Sequence, residues 1–373
     1  MNNFGPESVR GEASESRSDA PPAGPEGLGR ALRSRGAQVV LSLLLAGGLL
    51  YLFLRRVEIG PLREAIRSAS AAWLWTSLAI ALATFILRAI RWSWLLRPVG
   101  RVPFLASFLA TAVGFAANNL PARVGEVIRP ALLARMRRLP FSPLLASILF
   151  ERALDGGSVL FFLLLAVLLG IPGSTAGGAA FATMRLGAIA AAGVFVLLVG
   201  AALFLLFRRE TAARLFGGLA DRLPASWQPR VRAAAAAFPD GFASLSSPRL
   251  LATVVGSSLL MWLVINAQIY AVMRAFHIEL PFSASFVVTA AAVLGLAIPT
   301  PGGIGSYQAA VQYALTRFYG VPLAPASGVA VIAWAVSFLP ITLIGLAALT
   351  TRTVREPIPL AEEGGRSKRD GGR

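Results

Sequence analysis

Apolar residues in this chain gather into eight long runs, at about 37–54, 71–90, 102–120, 144–170, 186–207, 250–273, 282–298 and 323–350. Read at roughly 20 residues per crossing, runs of this kind are candidate transmembrane helices. The pattern predicts an all-α polytopic integral membrane protein whose membrane domain covers 37–351. Residues 1–36 are rich in Gly, Pro, Ser, Glu and Arg without apolar periodicity, and read as a disordered cytoplasmic tail. The first apolar run begins near Ala37, which does not fit a cleavable signal peptide. Residues 352–373 read as a second cytoplasmic tail.

The positions of the cations change this picture. Basic residues number five in the N-terminal tail, four in 55–70, four in 88–101, five in 121–143, one in 171–185, seven in 208–249, one each in 274–281 and 299–322, and six in the C-terminal tail. Eight simple crossings from the cytoplasm would leave both 121–143 and 208–249 outside, against the positive-inside rule. The conflict disappears if 102–130 dips into the membrane from the cytoplasm and 282–320 dips in from the opposite face. The expectation is six full spans plus two re-entrant broken hairpins of opposite orientation. The short basic segment 55–70 stays outside as the one exception.

Both proposed hairpins are interrupted in mid-run by Pro and Gly, around Gly114 to Glu126 and around Ala297 to Ser306. Non-helical backbone at membrane depth is tolerated only inside protein or beside a wet cavity. Broken segments in corresponding positions of two halves point to a transporter's binding site. Two kinked but ordinary spanning helices are the alternative. The loop 208–249, with seven Arg and three acids among short apolar runs, reads as amphipathic helices on the cytoplasmic leaflet. Gly187, Gly193 and Gly200 fall near one helix face and suggest close helix packing. His277 reads as a solvated loop residue.

Composition supports the membrane reading and narrows the chemistry. Of 373 residues, 56% are hydrophobic and 14% charged, against about 25% charged in an ordinary soluble domain. Cysteine is absent and His277 is the single histidine, which removes disulfides, thiol nucleophiles and His-based triads, and leaves no expectation of a metal or cofactor. The formal charge of +17 would suggest nucleic acid in a soluble protein. Here it flanks apolar runs, no basic stretch interleaves with aromatics, and nucleic acid is not an expected partner.

Glu151, Arg152 and Asp155 stand inside the fourth apolar run. Each charge at the centre of a span costs about 2.5–3.5 kcal/mol on insertion scales, so these three must be paired or face a polar cavity. Glu151 and Asp155 lie four apart on one helix face, and Arg152 and Asp155 three apart. Arg123 and Arg129 of the preceding broken segment are the natural further partners, with Glu126 three residues from each. Such a network either locks the hairpin to its neighbour or meets a phosphate headgroup, for which Arg supplies bidentate donors and broken helix ends supply amides.

The residues Asn-Asn-Leu-Pro-Ala-Arg-Val-Gly-Glu-Val-Ile-Arg at 118–129, Glu-Arg-Ala-Leu-Asp at 151–155 and Pro-Thr-Pro-Gly-Gly-Ile-Gly at 299–305 resemble, in order and spacing, three signature blocks of the lysylphosphatidylglycerol synthase transmembrane region family, also called flippase-like. The resemblance runs over roughly 37–350. It implies substrate contacts from Asn118, Asn119, Arg123, Glu126, Arg129, Glu151, Arg152 and Asp155, and backbone or hinge roles for Pro121, Gly125, Pro299, Pro301, Gly302, Gly303 and Gly305. Relatives often carry a Glu where this chain has Gln308. The soluble aminoacyl transferase domain of bifunctional relatives has no counterpart before Arg373, so the synthase activity is not carried over and a stand-alone member is expected. The resemblance implies a translocator of an anionic phospholipid or polyprenyl-linked saccharide in the inner membrane, not an enzyme. Membrane lipids are then its partners, with envelope-assembly proteins or a second copy of the chain as further ones. A membrane-embedded transferase on lipid phosphates, with Glu151 or Asp155 as base, and a non-transporting scaffold of an envelope complex stay open as alternatives.

Overall fold

The computed structural model describes residues 58–119, 124–169, 185–197 and 247–351, with single positions at 44, 47, 48, 50, 51, 182, 228 and 354. The N-terminal tail, the C-terminal tail apart from Val354, most of the first apolar run, Pro121, Arg123 and nearly all of the 208–249 loop lie outside the described residues. Among those described there is no strand. In chain order the helices are α1 (Ile59–Arg67), α2 (Ala71–Leu95), α3 (Phe104–Ala117), α4 (Gly125–Arg137), α5 (Phe141–Leu168), α6 (Arg185–Leu197), α7 (Pro248–Ala275), α8 (Ala284–Ala297), α9 (Ser306–Tyr319) and α10 (Leu323–Ala348).

Local chemistry sets many of the boundaries. Pro103, Pro140 and Pro322 stand immediately before α3, α5 and α10, and Pro248 opens α7. Proline suits these positions because its missing N–H has no intrahelical acceptor in the first turn. The ends of α4 and α9 turn off through a left-handed residue, Arg138 (φ 53°) and Gly320 (φ 63°). Past α7, His277 takes φ 59° while Ile278 N–H reaches back to the Met273 carbonyl at 3.0 Å.

Three helices, α2, α7 and α10, are long and apolar enough to cross a membrane. Helix α5 has the length, 28 residues, but carries three ionised side chains. Along these helices the large apolar residues that stay exposed face outward, such as Trp75 and Ile86 on α2, Phe161 and Leu168 on α5, and Leu343 and Leu346 on α10. Ser77, Arg88, Arg91, Glu151 and Asp155 are buried within. A polar interior under an apolar surface is the reverse of a soluble domain, and places the protein in lipid.

Four shorter helices form two antiparallel hairpins, α3 with α4 and α8 with α9. Their arms are 14, 13, 14 and 14 residues long. That is about 20 Å each, short of the roughly 30 Å hydrocarbon core. The hairpins open toward opposite ends of the molecule. Val102 and Ala106 at the mouth of the first pack with Leu95 and Leu96 after α2, Leu144 of α5 and Val254 of α7. Ala284 and Tyr319 at the mouth of the second pack with Ala275, Phe276 and Ile278 at the far end of α7. At that end Ser70 N–H donates to the Ala275 carbonyl (2.8 Å), and the exposed His277 donates from Nε2 to the Ser68 carbonyl (3.0 Å). These bonds tie the start of α2 to the end of α7.

Glycine allows the first hairpin to close. A Cβ on Gly125 would collide with the Gly114 carbonyl oxygen, so the arms meet backbone to backbone. The tip of the second hairpin is a single 3-10 turn, Pro301–Gly303, in which Gly302 (φ 59°), Gly303 (φ 70°) and, just beyond it, Gly305 (φ 83°) take left-handed conformations. The packing role expected for Gly187 and Gly193 is not met among the described residues, since a Cβ on either would find nothing within 4 Å.

Candidate functional site

Helices α2, α5 and α7 present the same succession of layers from the end where the first hairpin opens. An apolar layer comes first, with Trp92, Ile148 and Val254. Next comes a charged and polar layer of Arg88 and Arg91, Glu151 and Asp155, and Ser258 and Trp262. Beyond it the helices line a cavity with Phe85, Val159 and Ile265.

The charged layer is a dense ionic cluster. Arg91 holds both acids, at 2.7 Å from Asp155 and 3.2 Å from Glu151. Arg88 also reaches both, at 3.3 and 3.5 Å. Arg129, from α4, sits 3.0 Å from Glu151, with its guanidinium carbon 3.9 Å from the centre of the Trp92 ring. Arg152 contacts Glu151 at 3.3 Å, Asp155 at 3.4 Å and Glu126 at 3.8 Å. Trp262 donates its indole N–H to Asp155 (3.1 Å), and Arg91 donates to the Ser258 hydroxyl (2.9 Å). Arg88, Arg91, Arg129, Glu151 and Asp155 are buried, while Arg152 and Glu126 are about 40% exposed in their side chains. Four guanidinium groups meet three carboxylates, leaving one positive charge in excess.

Two of these cations were not expected in the network. An apolar run that ends at residue 90 places Arg91 in a basic flank, with Arg88 at its edge. Helix α2 continues to Leu95, and both arginines are interior side chains of it. The sign was present in the sequence: Trp92, Trp94, Leu95 and Leu96 follow Arg91, and Phe85, Arg88, Trp92 and Leu95 repeat at helical spacing on one face. The expected pairing of Glu126 with Arg129 is replaced by contact with Arg152, because Arg129 turns to Glu151 and Trp92.

Beside the cluster lies a cavity of about 430 Å³, within the range of pockets that hold small molecules. It is bounded by both hairpins: Phe115, Asn118 and Glu126 from the first, and Thr289, Leu296, Gly302, Gly303 and Tyr307 from the second. Arg88, Arg152 and Asp155 reach it from the ionic cluster. Most of the remaining wall is apolar, from α2, α7, α8 and α10.

The residues anticipated for the site divide accordingly. Asn118, Glu126, Arg152, Asp155, Gly302 and Gly303 line the cavity. Arg129 and Glu151 stand behind it, buried in the cluster. Asn119 donates to the Thr342 hydroxyl, and its oxygen lies beside Gly302, so the two hairpin tips touch. Trp334 clamps the second tip by donating to the Gly302 carbonyl (2.8 Å). Gly125 is a packing contact of the first hairpin. Pro299, Pro301 and Gly305 shape the second tip without lining the cavity. Arg123 and Pro121 lie outside the described residues. Gln308 is buried, and its side-chain oxygen accepts from the Gly305 N–H (2.7 Å), capping α9 without a charge.

Comparison with known proteins agrees with the three blocks. The chain is 26% identical over 306 residues, 78% of its own length and 86% of the relative's, to a "UPF0104 membrane protein" of Methanothermobacter thermautotrophicus. Residues 39–345 match the family model described as "Lysylphosphatidylglycerol synthase TM region", a stretch that contains the ionic cluster, both hairpins and every residue lining the cavity. The chain therefore belongs to the lysylphosphatidylglycerol synthase TM region family of membrane proteins.

Proposed function

We propose that this protein is a lipid translocator, carrying an anionic headgroup through the cavity between the two hairpins while the hydrocarbon tails stay in the bilayer. The observation that carries the reading is the cavity itself: an apolar chamber with Arg88 and Arg152 at one end, bordered by two broken hairpins that open toward opposite ends of the molecule. The Nε–H of Arg88 is buried without a hydrogen-bond partner, so one of its donors is free for a phosphate oxygen. In this reading the hairpins are re-entrant, six other segments cross fully, and both termini face the cytoplasm of an inner membrane, as the placement of arginines favours. Transport is favoured over transfer chemistry on a lipid phosphate because Glu151 and Asp155 already sit among several guanidinium groups, which leaves neither free to act as a base.

The test is leaflet exchange of labelled phosphatidylglycerol and a labelled polyprenyl-linked sugar in proteoliposomes. Wild-type protein is expected to exchange at least one of them. Arg88→Gln and Arg152→Gln, each checked for folding by thermal unfolding in detergent, are expected to slow that exchange about tenfold or more, the loss of a charge-assisted contact. Full exchange by both folded variants would sink the proposed site.

A further inference from the structure

The cavity carries a second polar place, away from the arginines and free of charge. Gln268 of α7 and Thr289 of α8 both line it and are each only 4% exposed. The Gln268 oxygen accepts from the Ser337 hydroxyl (3.3 Å), which leaves the Gln268 Nε2 donors without any partner. The Thr289 hydroxyl is likewise buried and unpartnered. Buried polar groups without partners are rare in folded proteins, and two of them facing one cavity indicate a ligand group that completes them. An amide donor and a hydroxyl that can donate or accept are complementary to ligand hydroxyls.

The charged end disfavours a cation. Asp155 is fully engaged, with Oδ1 held by Arg91 and Trp262 and Oδ2 by Arg88 and Arg152. Glu126 faces Arg152, and the cluster as a whole has one guanidinium in excess. An ammonium in this low-dielectric chamber would meet surplus positive charge, and Glu126, the other acid on the cavity wall, already stands 3.8 Å from Arg152.

We infer that the cavity selects a lipid phosphate whose headgroup carries hydroxyls and no amine, with the phosphate at Arg88 and Arg152 and the hydroxyls at Gln268 and Thr289. A glycerol or sugar ester of a lipid phosphate has this chemistry. An aminoacylated phosphatidylglycerol, the lipid in the family's name, does not. The selection rests on the translocator reading only insofar as the bound lipid is also carried; as binding it is tested separately.

The experiment offers the full-length protein in detergent an equimolar mixture of phosphatidylglycerol, phosphatidic acid, phosphatidylethanolamine and lysylphosphatidylglycerol, and reads retention by native mass spectrometry. Phosphatidylglycerol is expected to exceed phosphatidic acid by about five- to tenfold, the contribution of one or two hydrogen bonds, and the two amine lipids by about tenfold. The Gln268→Met, Thr289→Val double variant is expected to bring phosphatidylglycerol and phosphatidic acid to equal retention while still binding phosphatidic acid. Arg88→Gln is expected to weaken both. Amine lipids retained as well as phosphatidylglycerol, an unchanged ratio in the double variant, or no lipid retained at all would overturn the inference. Displacement by soluble glycerol 3-phosphate at the affinity of the lipid would overturn the assignment to a lipid headgroup. The same lipids in proteoliposomes separate the two claims. Selective binding without exchange refutes transport and leaves the subsite; equal exchange of all four refutes the subsite and leaves transport.

Discussion

Replacing Glu151 with Gln removes one negative charge from the centre of the ionic cluster while keeping the side chain's shape. Glu151 is fully buried and lies within 3.5 Å of Arg88, Arg91, Arg129 and Arg152. After the change, Arg88 and Arg91 keep Asp155, Arg129 loses the carboxylate it contacts, and the excess positive charge doubles. Removing one partner of a buried ion pair costs about 3–5 kcal/mol, because an uncompensated charge is left behind. Glu126→Gln is the matched control. Its carboxylate is 42% exposed and 3.8 Å from Arg152, the geometry of a pair worth about 0–1 kcal/mol. Unfolding of purified protein by added SDS in mixed micelles, followed by tryptophan fluorescence, reads the difference. Trp92 stacks on Arg129 and Trp262 bonds Asp155, so both report on the cluster. Adding Arg129→Met to Glu151→Gln restores the charge balance, and the double variant is expected to be about 1–3 kcal/mol more stable than the sum of the singles. If Glu151→Gln and Glu126→Gln unfold within about 1 kcal/mol of each other, the buried cluster does not hold α2, α4 and α5 together.

Other variants probe the hairpins and the orientation. Gly125→Ala is expected to lower the yield of folded protein or cost about 1–3 kcal/mol, since the methyl meets the Gly114 carbonyl. Gly187→Ala, which faces open space, should be neutral or stabilising by up to about 1 kcal/mol in the same unfolding assay. Gln308→Ala should cost about 1 kcal/mol by uncapping α9. Because the chain has no cysteine, Arg101→Cys and Glu279→Cys can be labelled singly with an impermeant maleimide in intact and opened vesicles. They are expected to react from opposite faces, and labelling from the same face would break the arrangement of the two ends.

The acids of the site were legible because charge is costly in an apolar helix. Glu151, Arg152 and Asp155 stand out against the run around them, and their four- and three-residue spacings already said which could share a face. Arg129 was legible as a partner for the same reason, since two acids and one cation demanded more cations. Arg88 and Arg91 were not, because arginine near the end of an apolar run is also what a cytoplasmic flank looks like. Only the continuation of α2 through Trp92 and Leu95 separates the two cases. Gln268 and Thr289 carry no such mark, since single neutral polar residues are common in membrane helices. What singles them out is that the Gln268 Nε2 and the Thr289 hydroxyl are buried without partners in the folded chain.

Apolar run length, the Pro and Gly interruptions and the three motif blocks were sufficient, without coordinates, for an all-helical membrane protein of this family with two broken segments. Each of those features is local: burying a helix in lipid, breaking it, or closing a glycine turn depends on neighbouring residues and the solvent around them. Tertiary structure decided the rest. It brought α2 against α5 so that Arg88 and Arg91 neutralise Glu151 and Asp155, turned Arg129 onto Trp92, and met the two hairpin tips at Asn119 and Gly302 around a cavity. Those outcomes depend on which helix faces which, and that is settled by close packing between segments far apart in the chain, such as the 64 residues between Arg91 and Asp155.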